Sequence, residues 1–405
     1  MTTDLTIAEM RWQAYRIPFR RDFVTGHGAM RVREGAIVSV TSRAGVTGTG
    51  EIAPLPEFGG ASLAQCLAAL PALRQRLIGL HIHEALTTVR SIGAGIGYFR
   101  PPAVRTTAFQ GRERPISSQQ GRERPIQPIP APTRYGVEVA LLDAQTRAEG
   151  ISLTAGWSVG NHTPYLSKVA VNAVIGASAM DEAVSAAQRA VASGFGCVKL
   201  KVGMLADADA EVARVAAVRA EIGPAIHLRL DANGAWSCEQ ALDLLKRLAA
   251  CDIQYIEQPL PAADLAGMAQ LRTTQPVPIA ADEALTGLAS AEHILHLQAA
   301  DVLVIKPHMV GGWQACCDIA QLARQAGVEY VVTSAIEAGV GVAAALQLAA
   351  SLSPALECGL ATLDLLEDDL IRDPLLVEQG AMQIPDTPGL GVTLDEDALA
   401  RYTIG

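Results

Sequence analysis

The chain reads as an α/β protein, a (β/α)8-type barrel preceded by an α+β domain, on three observations. From Lys168 onward, eight short apolar, β-branched runs alternate with stretches rich in Ala, Leu, Arg and Glu. The alternation repeats at a pitch of roughly 25–30 residues, which suits parallel βα units. Consecutive runs end on acidic or basic residues, where a barrel builds its site. Half of the 405 residues are hydrophobic and 18% are charged, enough apolar material for two packed domains. An open doubly wound sheet is the alternative, but no G-x-G-x-x-G follows the first strand.

Taken in order, residues 4–16, 31–42 and 46–52 have the alternation of three meander strands, punctuated by Arg33-Glu34-Gly35 and Gly45. Ser62–Leu80 and His83–Ile92 have helical patterning. Then Gln110–Ile116 recurs at Gln120–Ile126 in a stretch rich in Pro, Gln, Arg and Ser. Two copies cannot build a solenoid, so an exposed insertion near 100–130 is expected in preference to a functional clamp. The eight barrel runs are Lys168–Val174, Gly196–Lys201, His227–Asp231, Gln254–Glu257, Pro278–Asp282, Val302–Lys306, Glu329–Thr333 and Ala355–Gly359. After them, Asp364–Gly405 has short strand and turn signals such as Thr387-Pro388-Gly389, expected to pack back on the first domain. The divisions are therefore 1–130, 131–363 and 364–405.

The formal net charge of −10 disfavours nucleic acid, which calls for a basic stripe. It leaves an anionic small substrate open, because a bound metal can reverse the field locally. Seven scattered cysteines form no C-x-x-C pair, which reads as free thiols in a reducing cytoplasm. Met1–Ile7 includes Asp4 and no signal-peptide core, and no run of about 18 apolar residues occurs. The expectation is a soluble cytoplasmic protein acting on a small molecule, without nucleic-acid or membrane partners, with a homo-oligomer left open.

Three strands in succession end in carboxylates: Asp231 in D-A-N-G, Glu257 in E-Q-P-L and Asp282 in A-D-E. Their spacings of 26 and 25 residues are one βα unit each, so they should be neighbours on one rim. A single acid there ordinarily caps a helix or faces water. Three hard oxygen ligands suit Mg²⁺ rather than zinc. The strand before them carries Lys199 and Lys201, two apart and so on one face, with apolar residues between them facing the helices. Across the barrel the sixth strand ends in Lys306. A lysine base needs a lowered pKa, which burial and neighbouring cations are expected to supply. Lysines flanking a metal-bound carboxylate point to proton abstraction at the carbon α to it.

In combination these motifs resemble the muconate-lactonizing branch of the enolase superfamily over nearly the whole chain. The resemblance implies a modified TIM barrel under an α+β capping domain. It implies Lys201 as acid/base, Lys306 as the opposed lysine, and Asp231, Glu257 and Asp282 as ligands of Mg²⁺, with Mn²⁺ as a substitute. Lys199 and Asn233 would be supporting groups. In the cap, Gly50-Glu51-Ile52-Ala53-Pro54-Leu55-Pro56 and Arg31-Val32-Arg33-Glu34-Gly35 are similar to segments of o-succinylbenzoate synthases, as is Thr25-Gly26-His27-Gly28 apart from Gly26. Thr333-Ser334-Ala335-Ile336-Glu337 matches too, and departs at Ala338-Gly339-Val340. His27, Ser334 and Gly312 are thereby implied as substrate-binding or supporting residues. The activity implied is syn-dehydration of 2-succinyl-6-hydroxy-2,4-cyclohexadiene-1-carboxylate in menaquinone or phylloquinone biosynthesis. N-succinylamino acid racemization on the same lysines stays open, as does a non-catalytic metal-binding barrel. Dipeptide epimerases would show D-x-D where this chain has Glu357-Cys358-Gly359. Sugar-acid dehydratases would show a histidine at the second K-x-K position or on the seventh strand, and neither is present.

Overall fold

The computed structural model describes residues 3–25, 28–92, 129–161 and 164–404. Both copies of the repeated heptapeptide, as well as Gly26 and His27, lie outside the described residues. Strands β1 (Ile7–Thr25), β2 (Gly28–Ser42) and β3 (Thr47–Ile52) form an antiparallel meander in the order β1-β2-β3. β1 does not stop at residue 16. Its register shifts between Pro18 and Phe23, and pairing then resumes with Phe23 opposite Met30. Proline has no N–H for the ladder, so an irregularity there lets the strand continue. Ser62 starts the helix Leu63–Leu77 with a capping box closed by Gln65, and Ile82–Ile92 follows.

The buried helix Ala131–Glu149 lies directly on the meander. A Cβ on Gly50 would stand 2.0 Å from the Gly136 carbonyl oxygen, so only glycine permits this approach. Asp143 of the helix accepts from the N–H groups of Thr49 (2.8 Å) and Leu390 (2.7 Å).

The barrel strands are β5 (Ala173–Ile175), β6 (Cys197–Lys201), β7 (His227–Asp231), β8 (Ile253–Glu257), β9 (Ile279–Ala281), β10 (Val302–Ile305) and β11 (Glu329–Val332), paired in sequence order and all parallel. They are buried on both faces, hence the near-continuous apolar runs. Two of the expected strands differ. The first splits. Lys168–Ala170 (β4) pairs antiparallel with β13 (Ala381–Gln383), itself joined to β12 (Val377–Glu378), and β5 enters the barrel only after Asn172. The eighth shrinks to bridges from Cys358 to Val171 and from Gly359 to Thr333. These still close the ring between β11 and β5. Gly359 sits so near Thr333 that an added Cβ would lie 2.1 Å from its Oγ1, leaving no room for a regular side-chain ladder.

The C-terminal segment returns to β1: Leu366 bridges Phe19, and the Ile404 N–H donates to the Ala14 carbonyl (3.1 Å). All seven cysteines are free. Among the described residues no helix is long and apolar enough to cross a membrane.

Candidate active site

Strand register builds the site. Lys201 pairs with Asp231, and Asp231 with Glu257, so residues 30 and 26 positions apart become lateral neighbours at the C-terminal rim. Asp282 stands one residue beyond β9, and Lys306 one beyond β10. All five side chains are buried or nearly so, with Asp231 and Glu257 only 1% exposed. Strands β6 and β10 are four positions apart in the ring of eight, so Lys201 and Lys306 face each other across it.

Lysines and carboxylates are interleaved. Lys199 Nζ donates to both oxygens of Glu257 (3.0 and 3.1 Å) and lies 3.2 Å from Asp231 Oδ2. Lys201 Nζ donates to Asp231 Oδ2 (2.6 Å) and Asn233 Oδ1 (2.9 Å). Lys306 Nζ donates to Asp282 Oδ2 (2.5 Å) and lies 5.4 Å from the Phe58 ring centre. Asn233 in turn donates to Glu283 Oε1 (2.9 Å).

The expected lowering of lysine pKa does not hold for Lys199 or Lys306. Burial works downward on both, but the facing carboxylates, Glu257 and Asp231 for one and Asp282 and Glu283 for the other, outweigh it and hold the ammoniums above the usual lysine range. The carboxylates divide. Asp231 is pulled down, against burial, by Lys201 and Lys199. Glu257 is pushed up by burial and then by Asp231, against Lys199, and Asp282 is pushed up by burial despite Lys306. Asp231 is thus the best-supported anion of the cluster.

This donor set fits a hard divalent cation. It is all oxygen, it is buried, and burial holds two of its three carboxylates above their usual range despite the nearby lysines, a cost that a bound cation would relieve. Among the described residues no three His, Cys, Asp or Glu side chains are arranged to hold a metal ion as they stand. The carboxylates turn to lysines, so a cation would take over oxygens that the ammoniums now hold.

The cavity over this cluster is lined from the barrel by Lys199, Lys201, Asp231, Lys306, Ser334 and Ile336, and from the cap by Phe23, Leu55 and Phe58. Asn233 touches the cluster through Lys201. Gly312 lies apart, at the head of the helix Trp313–Ala326, where Glu138 accepts from the Trp313 N–H (2.8 Å).

Sequence reasoning passed over Gln258 and His308. Gln258 is fully buried, with a left-handed φ of 39°. Its Oε1 accepts from the Asp282 and Ala284 N–H groups (3.0 and 3.3 Å), which fixes the turn that aims Asp282. Its place beside Glu257 in E-Q-P-L was the available signal. His308 joins Glu337 Oε1 (2.7 Å) to the Glu51 carbonyl oxygen (2.9 Å), tying barrel to cap. Nothing in the local sequence announces that, because its partners are 29 and 257 residues away.

The chain matches two family models, "Enolase C-terminal domain-like" over residues 182–398 and "MenC, N-terminal domain" over residues 8–98. It is 38% identical over 252 residues to the o-succinylbenzoate synthase of Thermobifida fusca, covering 62% of this chain and 74% of the relative. Muconate cycloisomerase 1 of Rhodococcus opacus is 27% identical over 410 residues, 99% of each chain. The crystal structure of the N-succinyl Arg/Lys racemase from Bacillus cereus shares the fold, with a TM-score of 0.84 at 23% identity over 99% of this chain and 98% of that one. The barrel model spans more than half the sequence and takes in every lysine and carboxylate of the rim cluster: the chain belongs to the enolase superfamily.

Proposed function

We propose that the protein is an o-succinylbenzoate synthase, a carbon–oxygen lyase of menaquinone or phylloquinone biosynthesis acting on a small carboxylate in the cytoplasm. One observation supports the reaction class above others: two lysines on opposite barrel strands face a single cavity beside three buried carboxylates. The substrate choice is supported by the matched N-terminal domain and the 38% identity to a synthase of that name.

Mg²⁺ held by Asp231, Glu257 and Asp282, or Mn²⁺ in its place, would stabilise the charge that builds on the substrate carboxylate as its α-proton leaves. Lys201 takes the proton α to that carboxylate from 2-succinyl-6-hydroxy-2,4-cyclohexadiene-1-carboxylate. Its ammonium returns a proton to the departing hydroxyl on the same face, so water and an aromatic ring result. Asp231 and Asn233 orient Lys201 through the two bonds that it donates. Lys306 stays protonated against Asp282 and presents positive charge from the other side. Leu55, Phe58 and Ile336 exclude water from the ring.

N-succinylamino acid racemization is the second reading, favoured by the same opposed lysines, which could each serve one face. Purified protein with Mg²⁺, given the cyclohexadiene precursor and N-succinyl amino acids side by side, decides between them. Dehydration should be the faster by orders of magnitude. Faster racemization would replace the first reading by the second, and no turnover of either would remove both.

A further inference from the structure

We propose that Arg33 is a positioning residue: from the cap it holds Ile336, a wall residue of the cavity, in a left-handed backbone conformation that isoleucine itself disfavours. The inference rests on the reading of this cavity as the active site. Ile336 has φ 59°. In that region Cβ crowds the neighbouring carbonyl, and branching at Cβ makes matters worse. The other side-chain-bearing residues with positive φ among the described ones are Asn, Asp, Gln, Ser or Leu, none branched at Cβ. A strained residue of this kind persists only where its surroundings hold it, and such residues gather at functional sites.

The surroundings here come from the other domain. Arg33, only 3% exposed, donates from Nε to the Ile336 carbonyl oxygen (2.8 Å) and from Nη2 to that of Ala335 (3.2 Å). Its Nη1 donates to the carbonyls of Pro54 (2.6 Å) and Glu34 (2.8 Å). One guanidinium therefore fixes both walls of the cavity, Ile336 from the barrel and Leu55, next to Pro54, from the cap. The barrel holds the other end of the turn: the Ile336 N–H donates to Ser334 Oγ (2.8 Å), which itself accepts from the Thr362 hydroxyl (2.9 Å). Arg33 is anchored elsewhere, on β2, so its hold on the Ala335 and Ile336 carbonyls, like that of Glu51 on the Ala338 N–H, depends on the cap being seated.

Arg33→Lys keeps the charge and loses the planar fork. On whichever substrate the wild-type chain turns over, kcat/KM should fall about tenfold to a hundredfold. In an Ile336→Gly background, where φ near 59° is free of strain, the same substitution should cost several-fold less, leaving only the loss of the Pro54 and Glu34 bonds. Equal penalties in the two backgrounds would overturn the proposal. Amide exchange over residues 335–338, followed by mass spectrometry on the unliganded protein, should quicken about tenfold in Arg33→Lys while strands β6–β10 keep their protection. Unchanged exchange there, or an equal rise throughout the barrel, would also overturn it. This arm needs no turnover, so it separates failure of the latch from failure of the dehydratase reading. Should Arg33→Lys not fold, urea midpoints of Ile336→Gly and Ile336→Ala carry the test. Glycine above alanine supports strain at this position, and alanine above glycine refutes it.

Discussion

Lys201→Arg leaves a cation beside Asp231 and Asn233, within reach of the oxygens that Lys201 now holds at 2.6 and 2.9 Å. What it removes is the capacity to give up a proton, because arginine stays charged at any working pH. A positioned acid–base group is worth about 10²–10⁴-fold, or roughly 3–5 kcal/mol of barrier, and dehydration should fall by that amount. Lys306→Arg acts differently. The positive charge facing Asp282 survives, but the larger head cannot sit both 2.5 Å from Asp282 Oδ2 and 5.4 Å from the Phe58 ring centre. Misplacing one charge-assisted bond costs about 1.5–3 kcal/mol, so dehydration should drop about tenfold to a hundredfold. A racemase would treat the two substitutions alike, since each lysine must then move a proton on its own face. The assay is kcat for conversion of the cyclohexadiene precursor, with deuterium uptake at the α-carbon of N-succinyl amino acids in parallel. Lys201→Arg dehydrating within tenfold of wild type would refute its role as the base. Equal losses at both lysines would refute the division of roles between them.

Glu257→Gln takes a charge from the proposed metal site. Mg²⁺ affinity, read by titration calorimetry, should weaken by more than the roughly 10–100-fold that loss of an outer partner costs, and unchanged affinity would remove Glu257 from the ligand set. Deleting residues 111–126, whose Pro-, Gln- and Arg-rich composition cannot build a core, should leave kcat within about threefold of wild type if, as that composition leads one to expect, they form an exposed insertion. A folded deletion variant that lost activity would show the segment to be functional. Glu337 is held down at about 2: burial opposes this, but His308, Ser334 and the Ala335 N–H prevail. Its folded pKa lies below the ordinary 4.5, so its contribution of about 3 kcal/mol is present above pH 4.5 and lost as pH falls toward 2. Glu337→Gln should therefore flatten the acid limb of a pH–stability curve, and an unaltered slope would contradict the bonding described.

The rim of the barrel was legible because its signals are local and periodic. Lys199 and Lys201 share a face by the two-residue repeat of a strand. Asp231 and Glu257 end β7 and β8 at the residues expected. Departures come where distant chain decides. Lys168–Ala170 had the composition of a barrel strand but is claimed by Ala381–Gln383, more than 200 residues on. Ala355–Gly359 pairs only at Cys358 and Gly359 because the ring closes tightly against Thr333. A lowered lysine pKa is expected from burial and neighbouring cations, both legible in the sequence; for Lys199 and Lys306 it does not hold. The opposing carboxylates of Lys199 and Lys306, at 2.5–3.1 Å, follow from strand register, which sequence spacing alone does not weigh against burial.

The cap motif shows the same limit from another side. Read as sequence, G-E-I-A-P-L-P stands only for a resemblance to o-succinylbenzoate synthases, and no role is assigned to its glutamate. In the fold Glu51 is turned away from the cavity. Its carboxylate accepts from the Tyr15 hydroxyl (2.5 Å) and from the N–H groups of Ala338 (2.8 Å) and Gly341 (2.7 Å), at the start of the helix Gly339–Leu352. A buried carboxyl group accepting from N–H groups at a helix N-terminus is a docking device. The residues that touch the cavity are the apolar Leu55 and, beyond the motif, Phe58. Cavity wall and docking group thus share one loop. Glu51 and the Pro54 carbonyl, held by Arg33, seat the cap on the Ser334–Gly341 segment, and that seating sets how far Leu55 and Phe58 stand from Lys306. The departure from the resembled sequence at Ala338-Gly339-Val340 begins on Ala338, one of the three residues that donate to Glu51, so it bears on the seating of the cap rather than on the cavity lining directly.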